Sequence, residues 1–177
     1  MTDKKQKKGV KIFCDITKCL GCKACELACA VEHSKAKELA LSIKEKPTPK
    51  KRRKVSGVED KIMSFGCQHC EEAPCVAACM SSAMYKDPVT GETKHDKDKC
   101  VGCWMCIMVC PFSAIIQDVT DKVAMKCDLC PDNEDYACVA ACPTNALFSG
   151  TPEEFKRRVE EKSSPAALKR TKIKSGV

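Results

Sequence analysis

The chain has 177 residues and a formal net charge of +7, and its 44% hydrophobic content includes 17 cysteines but only 5% aromatic residues. That length bounds the protein to one or two domains and a modest core, and so few large apolar side chains imply an interior filled partly by something else. Cysteine at this density leaves two classes, a disulfide scaffold or a metal protein.

The start of the chain, Met1-Thr2-Asp3-Lys4-Lys5-Gln6-Lys7-Lys8, is charged and leads into no apolar core of a secretory signal. Its paired lysines do not make a twin-arginine signal, and Arg52-Arg53 and Arg157-Arg158 lie too far inside the chain. The longest apolar stretch, Trp104 to Cys110, is far short of the ~20 residues of a spanning helix. These features predict a soluble cytoplasmic protein without direct membrane insertion. In that reducing compartment thiols stay free, so the cysteines read as metal ligands.

In chain order, residues 1–9 form a basic arm. The extended segment Val10-Lys11-Ile12-Phe13 leads to a first cysteine group, Cys19, Cys22, Cys25 and Cys29, spaced Cys-x2-Cys-x2-Cys-x3-Cys. The run Pro49-Lys50-Lys51-Arg52-Arg53-Lys54-Val55, flanked by Pro47 and Gly57, reads as a solvated loop, with acidic-partner docking as its functional alternative and nucleic-acid binding as the remoter one. Ile62-Met63-Ser64-Phe65 is extended before the second group, Cys67, Cys70, Cys75 and Cys79, whose middle gap widens to four residues. Met84-Tyr85-Lys86 and Glu92-Thr93-Lys94 flank the turn Asp87-Pro88-Val89-Thr90-Gly91 and predict a hairpin. The third group, Cys100, Cys103, Cys106 and Cys110, repeats the spacing of the first and is followed by Pro111. Ala114 to Asp118 and Val123-Ala124-Met125 predict another hairpin before the fourth group, Cys127, Cys130, Cys138 and Cys142, with a middle gap of seven and Pro143 after it. A helical turn is expected after each group. Thr151-Pro152-Glu153-Glu154 opens a terminal helix with a cap, proline at N1 and glutamate at N3, and the chain beyond Ser163 reads as a loose or partner-ordered tail.

Three closely spaced thiolates on a short loop can converge on three iron corners of a [4Fe-4S] cube, while the fourth corner faces away. In two-cluster ferredoxins the fourth cysteine of each run ligates the other cluster. Structural zinc is the competing reading. It also takes Cys-x2-Cys pairs, yet has no need of a third close cysteine, so its best foothold is the stretched fourth group. The repeat spacing predicts an α+β, loop-rich fold of two interleaved bacterial-ferredoxin-like dicluster modules with short hairpins and short helices. An inner module over about 60–118 would sit between the halves of an outer one formed by groups one and four, within a domain spanning 10–150 and followed by a helix and basic tail over 151–177.

This order of groups, ferredoxin-type, stretched, ferredoxin-type with Cys-Pro and long-gap with Cys-Pro, resembles the four-cluster ferredoxin subunits of the dimethyl-sulfoxide-reductase iron-sulfur family over about residues 10–150. Within it, Cys22-Lys23-Ala24-Cys25-Glu26-Leu27-Ala28-Cys29-Ala30-Val31-Glu32-His33-Ser34 and Cys75-Val76-Ala77-Ala78-Cys79-Met80 look most like the branch associated with carbon monoxide dehydrogenase. Ala30 and Met80 depart from the pattern where proline would follow the fourth cysteine, which affects the local helix and not the ligands. The resemblance implies four [4Fe-4S] clusters. Their ligands would be Cys19, Cys22, Cys25 with Cys142; Cys127, Cys130, Cys138 with Cys29; Cys67, Cys70, Cys75 with Cys110; and Cys100, Cys103, Cys106 with Cys79. Each cluster with four thiolates carries about 2−, so four nearly cancel the protein charge of +7, and the excess lysine need not announce nucleic acid.

With sixteen cysteines sufficient, His33, His69 and His95 read as surface or hydrogen-bonding groups, Cys14 as a small buried hydrophobe and Trp104 as packing over a cluster. No dinucleotide fingerprint, phosphate loop, zinc-protease motif or nucleophile–base pair is present. The expected role is therefore a non-catalytic electron-transfer subunit. It would relay electrons between a catalytic enzyme, carbon monoxide dehydrogenase foremost, and an acceptor such as a hydrogenase, flavoprotein or ferredoxin. A molybdenum or tungsten enzyme acting on formate or aldehydes is the alternative, and an iron-sulfur nucleic-acid-binding protein the remote one.

Overall fold

The structure, a computed structural model, describes residues 9–58, 61–133 and 135–163, so the first eight residues of the basic arm and the tail beyond Ser163 lie outside the described residues. The fold is α+β, built from short strands and short helices joined by long irregular segments. Among the described residues, eight strands pair into four antiparallel two-stranded sheets. Both expected hairpins form. In one, β4 (Met84–Lys86) pairs with β5 (Thr93–His95), and in the other β6 (Ile116–Asp118) pairs with β7 (Val123–Met125). The two turns are closed in the same way, by an aspartate at the end of the first strand. Asp87 accepts the N–H groups of Val89 and Thr90 at 2.8 and 3.0 Å, and Asp118 those of Thr120 and Asp121 at 3.0 and 3.3 Å.

The ends of the cysteine-bearing region meet. β1 (Lys11–Cys14) pairs with β8 (Leu147–Gly150), Lys11 opposite Gly150 and Cys14 opposite Leu147. Consistent with this, α1 (Ala24–Glu32) packs against α5 (Ala137–Ala140), whereas α3 (Pro74–Ala77) packs against α4 (Met105–Met108). A short α2 (Leu39–Ser42) lies in the segment after α1. Helix α6 (Pro152–Ser163) closes over the outer sheet, where Phe155 stacks on Phe13 at 4.6 Å and Arg158 lies 4.2 Å from the centre of the Phe148 ring. The predicted cap is present as a reciprocal pair: Thr151 Oγ1 accepts the Glu154 N–H, and Glu154 Oε2 accepts the Thr151 N–H at 2.9 Å.

The basic run is not a solvated loop. Its second half is β2 (Arg53–Val58), paired with β3 (Lys61–Gly66) from Arg53 opposite Gly66 to Val58 opposite Lys61. Arg53 is only 4% exposed, and donates from Nε to Ser64 Oγ at 2.8 Å and from a terminal nitrogen to the Ile12 carbonyl at 3.4 Å. Its neighbours are engaged as well. Lys50 pairs with Asp118, Lys51 with Glu26 and Arg52 with Asp128. A run of five cations reads as solvated because a lone buried charge is costly, but here carboxylates and carbonyls from four other segments meet it. Lys51 and Lys54 are the exposed members of the run.

Two small cores result, and cysteine is a large part of each. One gathers Ile12, Cys25, Cys127, Leu129, Cys138 and Leu147 between the outer strands, and the other Cys75, Met84, Cys106, Ile115 and Ala124 under the inner hairpins. Among the described residues no helix is long and apolar enough to cross a membrane.

Candidate metal centres

Every cysteine group is built alike. A tight loop carries the first two cysteines, the third is the second residue of a helix (Cys25 in α1, Cys75 in α3, Cys106 in α4, Cys138 in α5), and the fourth lies about one turn further on. To wrap so tightly the loops use left-handed backbone. Gly21 and Lys23 in the first group, His69 in the second, Gly102 and Trp104 in the third, and Leu129 and Cys130 in the fourth all have positive φ. Gly102 is additionally pinned, since a Cβ there would lie 2.5 Å from the Lys122 carbonyl oxygen. Gly102→Ala is therefore expected to cost more than the about 1–2 kcal/mol of a left-handed alanine alone. Gly9→Ala is the control, because Gly9 has φ +77 with nothing within 4 Å. Thermal unfolding of the two variants separates the clash from the backbone effect.

The fourth cysteines share a second device. Three residues after Cys79, Cys110 and Cys142, the residues Ser82, Ser113 and Asn145 have positive φ and donate their N–H back to the cysteine carbonyl, each at 3.2 Å. This ends α3 and α4 and turns α5 into β8. The first group lacks it. There α1 continues past Cys29 and Ala30 to Glu32, giving nine residues where the other three helices have four.

The thiols gather across the chain in fours. One cavity is lined by Cys19, Cys22, Cys25 and Cys142, a second by Cys67, Cys70, Cys75 and Cys110, and a third by Cys79, Cys100, Cys103 and Cys106. In each, the fourth cysteine comes from a different group. For the remaining four the electrostatics carry the same message. Burial pushes the Cys127 thiol up to about 12 and Cys130 up to about 11, and the thiols of Cys138 and Cys29 add to both shifts. Cys106 is likewise pushed up to about 11 by burial and by Cys100, Cys75, Cys79 and Cys103 around it. Such groups are not content as isolated thiolates, and convergence of four suits a metal centre that takes up their charge. Two outlying members behave differently. Despite partial burial, Cys79 and Cys142 sit below the usual thiol range, Cys79 because the Met84 amide and the Ser81 hydroxyl donate to it and Cys142 because the Leu147 amide and the Thr144 hydroxyl do. Four thiol donors per site, with main-chain N–H groups aimed at sulfur, suit a [4Fe-4S] cube, whose sulfurs accept such bonds.

The histidines depart from expectation in one respect. His33 is a hydrogen-bonding group: its Nε2 meets Asp128 at 3.0 Å and its Nδ1 the Cys29 carbonyl at 2.7 Å. Although burial pulls it down, Asp128 and Cys29 raise its pKa to about 9, while Asp128, held between His33 and Arg52, is far below the usual carboxylate range against the effect of its burial. His33, Asp128 and Cys130 offer ligand atoms within 4.8 Å of one another, yet the His33 ring and the Asp128 carboxylate are already committed to each other, to Arg52 and to the Cys130 N–H, which anchors the fourth-group loop onto α1. His69 is not at the surface. It is 4% exposed with neither ring nitrogen bonded among the described residues, and burial, then the charge of Lys126, lowers its pKa to about 3. Cys14 is half-buried beside Cys19 and accepts the Ser64 N–H at 3.4 Å. Trp104 lines the cavity of the third group's thiols.

Among known proteins, residues 58–151 match the model of a 4Fe-4S dicluster domain. An iron-sulfur protein of Rhodospirillum rubrum is 38% identical over 157 residues, covering 80% of this chain and 82% of its own. The electron transport protein HydN of Escherichia coli is 34% identical over 173 residues, covering 89% and 97%, and the thiosulfate reductase electron transfer subunit PhsB of Salmonella typhi is 34% identical over 145 residues, covering 79% and 74%.

Proposed function

This chain belongs to the 4Fe-4S dicluster domain family, and from that premise we propose that it is a four-cluster relay. As an iron-sulfur electron-transfer subunit it serves an oxidoreductase complex without being its catalyst. Its sixteen grouped cysteines hold four [4Fe-4S] clusters in two interleaved ferredoxin-like modules: Cys19, Cys22, Cys25, Cys142 and Cys127, Cys130, Cys138, Cys29 in the outer, and Cys67, Cys70, Cys75, Cys110 and Cys100, Cys103, Cys106, Cys79 in the inner. The observation that carries this reading is the presence of Cys142 in the cavity of Cys19, Cys22 and Cys25, more than a hundred residues away in sequence. When bound, the clusters supply one-electron redox sites, and with a cysteine for every corner they leave no iron open to a substrate.

The chain's own contribution is to order these sites and to expose only two. Cys22 and Cys103 are the exposed cysteines, and between each and its predecessor stands an exposed apolar side chain, Leu20 at 71% and Val101 at 69%. We assign these two ends to the catalytic partner and the acceptor. Carbon monoxide dehydrogenase is the partner favoured by the segments Cys22 to Ser34 and Cys75 to Met80, with a hydrogenase, flavoprotein or ferredoxin downstream, in the cytoplasm. The similarity to a thiosulfate reductase subunit supports the second reading, in which the partner is another oxidoreductase such as one acting on formate or an aldehyde.

Anaerobically purified protein should be brown, hold about sixteen iron atoms, and show no turnover of carbon monoxide, formate or aldehyde until its partner is added. Iron near eight with stoichiometric zinc would reject the four-cluster reading, and turnover by the isolated chain would reject the relay.

A further inference from the structure

Lys126 is a buried charge met only by carbonyls among the described residues. It leaves β7 directly before Cys127, is only 4% exposed, and directs its ammonium inward to the carbonyls of Thr93 and Cys127, the latter at 2.9 Å. Among the described residues it forms no ion pair. Asp128 is occupied by Arg52 and His33, and Glu92, half-buried, feels the Lys126 charge without pairing to it. Removing an ammonium from water costs several kcal/mol, and two neutral carbonyls recover only part of that. A buried cation kept in this state calls for negative charge from a source other than carboxylates.

The surroundings identify the source. Thr93, whose carbonyl the ammonium binds, lines the cavity of Cys67, Cys70, Cys75 and Cys110, so the charge is held at the wall of that site. On its other side its own hydrogen bond reaches the carbonyl of Cys127. Lys126 thus bridges the lining of one inner site, through Thr93, and the backbone of a ligand of one outer site, Cys127.

We propose that Lys126 is the shared counter-ion of the two interior clusters, those held by the Cys67 and Cys127 sets, and that it raises the reduction potential of both relative to the terminal two. The inference rests on the four-cluster reading above. A cluster with four thiolates gains one further negative charge on reduction, and a fixed cation in a low-dielectric interior stabilises the reduced form more than the oxidised one. Its effect is confined to sites within its reach, because the terminal sets lie nearer water.

The test is an anaerobic redox titration of the full-length holoprotein followed by electron paramagnetic resonance, with iron content determined on every sample. Lys126→Met removes charge and donor at similar length, Lys126→Gln removes the charge and keeps a donor, and Lys126→Arg keeps both. Two of the four midpoint potentials should fall in the Met and Gln variants, with two unmoved, and return towards wild type in the Arg variant. If the Met variant loses iron, the Gln variant decides. Potentials unmoved in a fully loaded variant, all four moving alike, or a fall with Met and none with Gln would each overturn the counter-ion role. Wild-type protein with fewer than sixteen iron atoms would instead overturn the reading on which it rests.

Discussion

Replacing Cys142 with serine should abolish or alter the cluster of the first group, although Cys142 belongs by sequence to the fourth. Cys142 lines one cavity with Cys19, Cys22 and Cys25, while its sequence neighbours Cys127, Cys130 and Cys138 gather with Cys29. The expected result is loss of up to about four of sixteen iron atoms, together with the same paramagnetic signal that Cys22→Ser removes. A signal shared with Cys127→Ser and retained in Cys22→Ser would mean that each group ligates its own metal, and the interleaved arrangement would fall. Met84 and Leu147 donate main-chain hydrogen bonds to Cys79 and Cys142 in parallel positions, so Cys79→Ser should act on the third group's cluster in the same manner.

Arg53→Ala is expected to be the most damaging change outside the cysteines. Its guanidinium ties β2 to Ser64 on β3 and to Ile12 on β1, and Ser64 in turn lies 3.3 Å from the Cys25 sulfur. Losing two hydrogen bonds from a charged donor and opening a cavity in a small core should cost about 3 kcal/mol. The thermal midpoint of the loaded protein should fall accordingly, and the outer clusters should be lost before the inner. Lys54→Ala, one residue along on the solvent side, should change stability by less than about 0.5 kcal/mol. Equal effects of the two substitutions would contradict the buried role of Arg53.

The contrast between Arg53 and Lys54 also marks the boundary of what the sequence determines. Short-range features follow from chain geometry over a few residues. The cysteine loops, the two aspartate-closed hairpins and the Thr151–Glu154 cap were all legible, because each depends on groups within about ten positions of one another. Cysteine spacing likewise announced the metal chemistry. β2 was not legible, since its cations mask a strand whose buried Arg53 is acceptable only where Ser64 and Ile12 supply acceptors. His69, expected as a surface or hydrogen-bonding group, is buried, and α1 runs on through Ala30 to Glu32 whereas α3, which also lacks a proline after its last cysteine, stops at Ala77. The sharing of a cavity by Cys142 and Cys19 is the pairing that the family resemblance implied, whereas the pairing of β1 with β8 and the burial of Lys126 against the Thr93 and Cys127 carbonyls were decided by the tertiary structure alone. The physical reason is that a strand edge or a buried charge is stabilised by whatever distant segment the rest of the chain brings to it, and no local pattern records that partner.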